Sequence, residues 1–464
     1  MVLFSFCMFL LIITLVGISA SKKNQGTSSD YILANRSIGP IATALSAVST
    51  CHSGFMFIGM IGFTYKIGIS AIWLIIAWLI GDFFAWNVVY PKLRHISANI
   101  KAITLAGFIT QSHNPSFVKN IISILILIFL SVYAAAQLTA GSKALWIMLE
   151  WQNYVGVIVG AFIVVIYSFS GGIRASIWTD VVQSIIMFIS MIGLCSVALY
   201  TIGGFRSLFS KLTAIDPSLT QLITTNHEFG FPLYLLAWIA FGIGVIGQPH
   251  IISRPMAIQS TDQLKKASYI YLTWYLVFSL GSILVGLSAR ILLPELLSAD
   301  AELALPILAQ QLLPSICVGG ILAGIFSATI STADSQIIAC SSSISQDLIP
   351  SLKNNYNALK LLTVLVMILA VLIALFGSQS VYKLVIIGWS VFASLLAPLV
   401  LLRCFGAKLN NAIMFYMLLI TLCAIILWNF YFNLSNAINE TLPGIIIAFS
   451  IYGIYKKFYL KNKT

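Results

Sequence analysis

Apolar runs of about 20 residues recur along almost the whole chain, and this feature constrains the fold more than any other. A run of that length crosses the roughly 30 Å hydrocarbon core of a bilayer as an α-helix. Charged residues make up 8% of the chain, against about 25% in soluble domains, so little polar surface is available to face water. We therefore expect an all-α polytopic membrane protein, with residues 1–464 forming a single transmembrane domain.

The apolar runs predict about thirteen transmembrane helices. The first run is followed, not preceded, by the basic residues Lys22 and Lys23, which is typical of a retained span and not of a cleaved secretory signal. The predicted spans are 2–20, 38–63, 67–91, 117–138, 153–170, 178–203, 231–253, 268–293, 314–346, 357–377, 380–403, 409–430 and 440–458.

The basic residues indicate an orientation for these spans. If the N-terminus lies outside, most of the 25 lysines and arginines fall in cytoplasmic loops or in the cytoplasmic C-terminal tail, which ends with Lys461 and Lys463. This asymmetry is the positive-inside bias of membrane proteins. The net charge of +12 does not indicate nucleic-acid binding, because the basic residues are scattered singly or in pairs between apolar spans.

Two of the predicted spans contain sequence that is poor at forming a helix. The second span carries the small and polar stretch Ser46–Gly54, and the seventh carries Gly242–Pro249. Unpaired backbone groups cost several kcal/mol in hydrocarbon, so such breaks persist where they line a cavity or bind a ligand. Interrupted spans in corresponding halves indicate inverted repeats with a binding site near the midplane. We predict repeats at about 38–203 and 231–403, with helices 2–20, 409–430 and 440–458 outside the core.

The ninth span is unusually rich in hydroxyl groups, and it includes Ser331, Thr332 and the carboxylate of Asp334. Hydroxyl and carbonyl oxygens suit a hard cation such as sodium. The alternative is that these side chains form hydrogen bonds between helices, as is common in membrane bundles. An unwound second span facing the ninth would favour the cation site.

Other polar residues in the spans are open to two interpretations. Asp180, at the start of the sixth span, is either a second ion or coupling site or an interfacial carboxylate that caps a helix. Arg254 is interpreted as a cytoplasmic anchor of the seventh span. Cys51 and His52 have no further ligands at a metal-site spacing and no base and orienting residue, so neither a metal centre nor an enzyme is expected.

Taken in order, several motifs of this chain resemble those of the sodium/solute symporter family, and particularly its sodium/proline branch. The resemblance covers the first eleven spans and is expected to extend over the whole chain. The matching stretches are Asp30–Leu33, Arg36–Pro40, Thr43–Ala47, Gly171-Gly172, Trp178–Asp180, Val182-Gln183, Gly247–His250, Ser331-Thr332, Gln336, Ser341-Ser342 and Asp347-Leu348.

The resemblance implies a LeuT-type core of two inverted five-helix repeats that works by alternating access. It implies a sodium site formed by Ser49, His52, Ala328, Ser331 and Thr332. It also places the substrate against the two broken spans, for which the candidate residues are Ser53, Gly54, Phe55, Phe241, Val245, Gln248 and Pro249. Three positions depart from the branch pattern. Cys51 stands where the branch has an aspartate, and Phe241 and Val245 stand where it has Trp and Tyr.

These observations predict a secondary active transporter in the bacterial inner membrane, in contact with membrane lipid. It would couple sodium movement to the uptake of a small polar solute, with an amino acid such as proline as the first expectation. No cofactor other than the coupling ion is expected. A proton-coupled or uncoupled carrier of another small organic solute and a transport-inactive sensor with the same fold remain open. The sequence does not indicate the oligomeric state.

Overall fold

A computed structural model describes residues 1–23, 25–111, 116–224, 227–353, 355–435 and 437–460 of the chain, and no strand occurs among these residues. The predicted all-α class is therefore confirmed. Lys461 and Lys463, which are predicted to be cytoplasmic, lie outside the described residues.

The helices are α1 (Val2–Ser21), α2 (Ser28–Leu33), α3 (Pro40–Cys51), α4 (Met60–Ile67), α5 (Ile72–Phe84), α6 (Tyr90–Asn99), α7 (Leu105–Thr110), α8 (Phe117–Leu149), α9 (Asn153–Ile202), α10 (Gly204–Ile215), α11 (Phe231–Ile243), α12 (Pro249–Ala257), α13 (Gln263–Leu292), α14 (Ala304–Leu312), α15 (Ser315–Ser343), α16 (Tyr356–Phe376), α17 (Val381–Cys404), α18 (Asn411–Ile426) and α19 (Thr441–Tyr455).

The predicted number of thirteen spans is not confirmed. Among the described residues, 9 helical segments are long and apolar enough to cross a membrane, or 10 if the bent pair α11 and α12 counts as one span. The difference arises where helices are short or continuous across a kink. For example, α19 has 15 residues and the apolar segment Asn153–Ile166 is short, whereas the helical segments of Phe55–Asn99 follow one another without a long loop, although α4 ends at Gly68 with φ 73° and ψ −151°.

A single glycine separates the two predicted spans that fall within α9. Gly172 has φ 55° and ψ −147°, a conformation that side-chain-bearing residues rarely adopt. A Cβ at this position would also lie 2.6 Å from the ring and the carbonyl oxygen of Tyr31. Both constraints explain why the Gly171-Gly172 motif stands at the turn between the fifth and sixth predicted spans.

Both predicted breaks are present in the structure. The first follows α3, where His52 leaves the helical region with φ −90° and ψ 62°. The second follows α11, where a 3₁₀ turn at Gly244–Gly247 and the extended residue Gln248 lead into α12. The axes of the two halves differ by 56°. These breaks leave backbone groups in the bundle interior without the partners that a continuous helix would supply.

The ninth predicted span, α15, lies inside the bundle. It packs against α1, α3, α8, α9, α12 and α16. Its polar residues Ser327, Ser331, Thr332 and Asp334 are fully buried. Because these side chains do not face lipid, contacts within the protein can stabilise them, as the α3 carbonyl groups do for Ser331 and Thr332.

The broken α11 is held against α5 by a glycine contact. A Cβ added to Gly81 would lie 2.2 Å from the carbonyl oxygen of Gly242, and a Cβ added to Gly242 would lie 2.2 Å from the carbonyl oxygen of Ala77. Such distances are far inside van der Waals contact with backbone atoms, which cannot rotate away. The two glycines therefore allow the backbones to approach closely, as small residues do in membrane helix pairs.

We expect the substitution Gly242→Ala to destabilise the protein by about 1–3 kcal/mol or more, because the added methyl group forces α5 and α11 apart. Thermal unfolding of the purified protein in detergent measures this effect. Gly193→Ala is the matched control, since Gly193 also lies in a membrane-spanning helix but an added Cβ meets no atom within 4 Å. An unfolding midpoint for Gly242→Ala equal to that of the control would contradict the close-contact interpretation.

Candidate functional site

Four of the five residues predicted to bind sodium meet at the end of α3. The hydroxyl of Ser331 lies 3.0 Å from the carbonyl oxygen of Ser49 and 3.3 Å from that of Ala328. The hydroxyl of Thr332 donates to the Thr50 or the Ala328 carbonyl, each at 3.0 Å. The last carbonyl groups of a helix lack partners within it, so the α15 hydroxyls supply these partners from outside.

His52, the fifth predicted sodium residue, lies at the break itself. Its ring Nδ1 is 2.9 Å from the Val48 carbonyl oxygen, one turn back in α3. The ring packs among aromatic side chains of α13 and is 4.3 Å, centre to centre, from Tyr275. The side chain therefore points away from Ser331 and Thr332, and only the backbone of His52 remains available for the predicted role.

Asp180 is fully buried and forms an ion pair with Arg254. One carboxylate oxygen, Oδ2, lies 3.2 Å from Nη2 of Arg254 and accepts a hydrogen bond from the hydroxyl of Ser46 at 2.6 Å. The interpretation of Arg254 as a cytoplasmic anchor is wrong, because its side chain is 1% exposed. The arginine also donates to the hydroxyls of Ser46, Ser176 and Ser335 and to the His250 carbonyl.

This ion pair is connected to the predicted sodium residues. Ser335 accepts a hydrogen bond from Arg254 and lies 2.7 Å from the Ser331 carbonyl oxygen, to which its hydroxyl can donate. Thr50 lies 3.4 Å from Ser335 and 3.5 Å from Asp180. A continuous set of polar contacts therefore joins α3, α9, α12 and α15 around the first break.

Aromatic rings bring two of the predicted substrate residues together. The rings of Phe55 and Phe241 are 5.6 and 5.5 Å from the ring of Trp78, on α5. Phe241 also stacks on Trp389 of α17 at 5.6 Å, and the Trp389 indole donates to the Phe241 carbonyl at 2.8 Å. Residues from both breaks thus share one aromatic cluster, which we define as Phe55, Trp78, Phe241 and Trp389.

Polar groups of the two breaks lie beside this cluster. Gln248 donates through Nε2 to the Trp389 carbonyl at 3.1 Å, and within the described part of the chain its Oε1 has no hydrogen-bond partner. The amide N–H of Gly54 donates to Gln137 at 2.9 Å. Ser53 accepts from the Phe55 amide at 3.2 Å. Of these groups, the Oε1 of Gln248 and the hydroxyl of Ser53 retain hydrogen-bonding capacity next to an apolar surface.

The remaining predicted substrate residues are less clearly grouped with the aromatic cluster. Val245 is buried in the 3₁₀ turn after α11. Pro249 lines a small cavity of about 30 Å³ together with Ser335 and Ser342. This cavity has room for about one water molecule.

A larger cavity of about 710 Å³ lies on the other side of the aromatic cluster. Its lining includes the exposed residues Lys66 and Lys383 and the rings of Phe63, Trp238 and Tyr382. Tyr382 stacks on Phe63 at 5.2 Å and contacts Phe55 at 5.7 Å. Aromatic rings therefore separate this vestibule, at the end of the bundle that carries Lys66, from the breaks.

Several polar residues in the interior were not found by sequence reasoning. Lys143 forms ion pairs of 2.6 Å with Asp300 and Glu302, and Glu302 accepts hydrogen bonds from the first amides of α17. Asp82 is a fully buried carboxylate on α5. A sequence signal existed for Asp82, since it is a carboxylate within an apolar run, which in a membrane protein is expected to be functional.

The family model and the relatives that match this chain belong to the same family of transporters. The model of the sodium:solute symporter family matches residues 31–420. Proteins named sodium/proline symporter from Staphylococcus aureus strains JH9 and USA300 are each 30% identical over 474 aligned residues, which cover 98% of this chain and 92% of the relative.

Solved structures support the same fold. A substrate-bound, outward-open Na⁺-coupled sialic acid symporter aligns with a TM-score of 0.81 at 18% identity, over 96% of both chains. MHP1, a nucleobase-cation-symport-1 family transporter, aligns with a TM-score of 0.58 at 14% identity, over 92% of this chain and 94% of its own. The predicted LeuT-type fold is confirmed, and the chain belongs to the sodium:solute symporter family.

Proposed function

We propose that this protein is a sodium-coupled symporter of a small amino acid, with proline as the first substrate to test. We place it in the bacterial inner membrane with its N-terminus outside and its C-terminus in the cytoplasm. Membership of the family and 30% identity with sodium/proline symporters support this proposal. The single observation that carries it is that hydroxyl groups of α15 lie within hydrogen-bonding distance of carbonyl groups at the C-terminal end of α3.

These contacts between α3 and α15 suggest how sodium is bound. The oxygens of Ser49, Ala328, Ser331 and Thr332 converge as hydroxyl–carbonyl pairs about 3 Å apart, and hard cations prefer oxygen ligands of this kind. A sodium ion between α3 and α15 would take these oxygens as ligands, together with the carbonyl oxygen of His52. Because its ligands come from two helices, the ion stabilises the arrangement in which those helices are correctly spaced.

The Asp180–Arg254 pair connects the proposed sodium site to α12, which follows the second break. Arg254 lies on α12, directly after the broken α11, and it contacts Ser46 of α3 and Ser335 of α15. A change in the spacing of α3 and α15 alters these contacts and therefore the position of α12. We assign Asp180 to coupling, since in this structure a basic side chain already balances its charge. Coupling of two sites through one conformational equilibrium is the basis of symport.

The aromatic cluster and Gln248 support a small amphipathic substrate. The rings of Phe55, Trp78 and Phe241 provide an apolar surface that suits the pyrrolidine ring of proline. The Oε1 of Gln248 can accept a hydrogen bond from a substrate ammonium group. The vestibule beyond Phe63 and Tyr382 provides the entry path, and these rings separate it from the breaks in the present conformation.

Uptake of radiolabelled proline into proteoliposomes tests the proposal. We expect accumulation with an inward sodium gradient and at least about a tenfold lower initial rate when choline replaces sodium, because the empty site lacks the ion that stabilises the spacing of α3 and α15. Protein-free liposomes are the control for leakage. Equal uptake in both salts would exclude sodium coupling, and a proton gradient would then be applied to the same vesicles.

Competition measurements address the substrate separately from the ion. Unlabelled small amino acids, sialic acid and nucleobases are added in excess to the sodium-driven uptake assay. Inhibition by proline and its close analogues alone supports the assignment. Sodium-dependent uptake of another solute would support the symporter function but exclude proline as its substrate. Absence of uptake of every solute by folded protein would favour the sensor alternative.

A further inference from the structure

Asp82 is a carboxylate in the interior of the bundle whose interactions are incomplete. It lies on α5, in the third predicted span, and is fully buried. Within the part of the chain that the structure describes, neither carboxylate oxygen has a hydrogen-bond partner of ordinary geometry. A carboxylate at membrane depth is costly unless a counter-charge or a ligand stabilises it.

The described chain contains six other buried carboxylates, which are those of Asp30, Asp180, Glu302, Asp334, Asp347 and Glu440. Four of them lie within 3.2 Å of a basic nitrogen, and the pairs are Asp30 with Arg174, Asp180 with Arg254, Glu302 with Lys143 and Asp347 with Lys119. Among the residues described, Asp82 takes part in no ion pair. The fold thus balances these four charges with basic side chains and leaves Asp82 without one.

Among the described residues, four groups that carry oxygen or sulfur and no positive charge interact electrostatically with Asp82. They are Tyr271 and Tyr275 on α13, Tyr90 on α6 and Cys51 at the end of α3. The Tyr271 hydroxyl faces both the Asp82 carboxyl group and the Cys51 thiol, yet it also lacks a hydrogen bond of ordinary geometry in the described chain. The Tyr275 hydroxyl is already used, since it donates to the Ile75 carbonyl at 3.0 Å.

The end of α3 presents different groups to α15 and to α13. A helix carries the equivalent of about half a negative charge at its C-terminus, where carbonyl groups lack partners. The carbonyls of Ser49 and Thr50 face α15, whereas the side chains of Cys51 and His52 face α13 and, for Cys51, also α5. The first break therefore has two faces, and Asp82 lies on the face opposite α15.

We propose that Asp82 binds a second sodium ion on this face of the break, with the Tyr271 hydroxyl as a further ligand. The carboxylate and the phenolic oxygen together favour a cation over a neutral molecule. This inference rests on the proposed sodium coupling. It goes beyond that proposal because the ion is distinct from the one held between α3 and α15.

Sodium-dependent thermal unfolding of the full-length protein in detergent tests the inference. Sodium chloride replaces choline chloride at constant ionic strength, and the unfolding midpoint is plotted against the logarithm of sodium concentration. Each bound ion adds its own dependence on concentration, so we expect Asp82→Asn to reduce the slope to about half of the wild-type value. The double variant Asp82→Asn/Cys51→Asp, which returns a carboxylate to the same cluster, is expected to restore the slope.

The controls separate this inference from the proposed function. Asp216→Asn removes an exposed loop carboxylate and is expected to leave the slope unchanged. If the wild-type protein itself shows no response to sodium, both proposals are overturned. If the wild-type protein responds and Asp82→Asn responds equally, only the second ion is overturned. If Asp82→Asn does not fold, Tyr271→Phe is measured instead, and an unchanged slope and half-saturation there overturn the inference.

Discussion

The double substitution Ser331→Ala/Thr332→Ala is expected to abolish sodium-driven uptake, with a loss of at least about a hundredfold in initial rate at low sodium. Both hydroxyls are proposed ligands, and each removal deprives the ion of one of few oxygens in a site that excludes water. The two single substitutions are each expected to raise the sodium concentration for half-maximal uptake by about tenfold, or roughly 1.4 kcal/mol of lost sodium binding. Uptake at a series of sodium concentrations in proteoliposomes measures these effects.

Ser342→Ala is the matched control for these variants. Ser342 lies on α15 as well, but its hydroxyl donates within the helix, to the Ile338 carbonyl at 2.6 Å. We expect its sodium dependence to match that of the wild-type protein. A double variant at Ser331 and Thr332 with unchanged half-saturation would show that these hydroxyls only join helices, as Ser and Thr commonly do in membrane bundles.

Removal of Arg254 is expected to cause the largest loss of stability of any single substitution considered. Arg254→Gln leaves the Asp180 carboxylate buried without its counter-charge, which costs about 3–5 kcal/mol in comparable buried pairs. It also removes donors to Ser46 and Ser176, so contacts from α12 to α3 and α9 are lost together. Thermal or chemical unfolding of the detergent-solubilised protein measures the change.

A double-mutant cycle distinguishes the ion pair from a general packing effect. Asp180→Asn/Arg254→Gln is expected to be clearly more stable than the sum of the two single losses predicts, because no unbalanced charge remains in the double variant. Arg206→Gln is the control, since Arg206 is exposed. Additivity of the two single effects within about 0.5 kcal/mol would contradict direct coupling between Asp180 and Arg254.

The location of both breaks was predictable because backbone chemistry is local. Gly242, Gly244, Gly247 and Pro249 weaken a helix wherever they occur, and the structure does end α11 and begin α12 within this stretch. The hydroxyls of Ser331 and Thr332 were also identified from the sequence, because consecutive polar residues in an apolar span are costly unless they have partners. Whether sodium is such a partner stays a prediction.

Arg254 shows where sequence reasoning failed. A basic residue near the end of an apolar run is ordinarily an interfacial anchor, and the sequence contains no sign that Asp180, 74 residues away, lies beside it. The predicted number of thirteen spans is not confirmed. Hydropathy does not show how closely helical segments follow one another, as α4 and α5 do on either side of Gly68 and the two halves of α9 do on either side of Gly172.

The sequence by itself determined that this chain is a helical membrane protein, where its two central spans break and which family it resembles. These properties depend on local composition, on backbone propensity and on ordered motifs. Only the tertiary structure decided which side chains meet across the breaks, since those contacts join residues from distant helices. It paired Asp180 with Arg254 and joined Phe55 to Phe241 through Trp78. Among the described residues, it also left Asp82 without a basic partner.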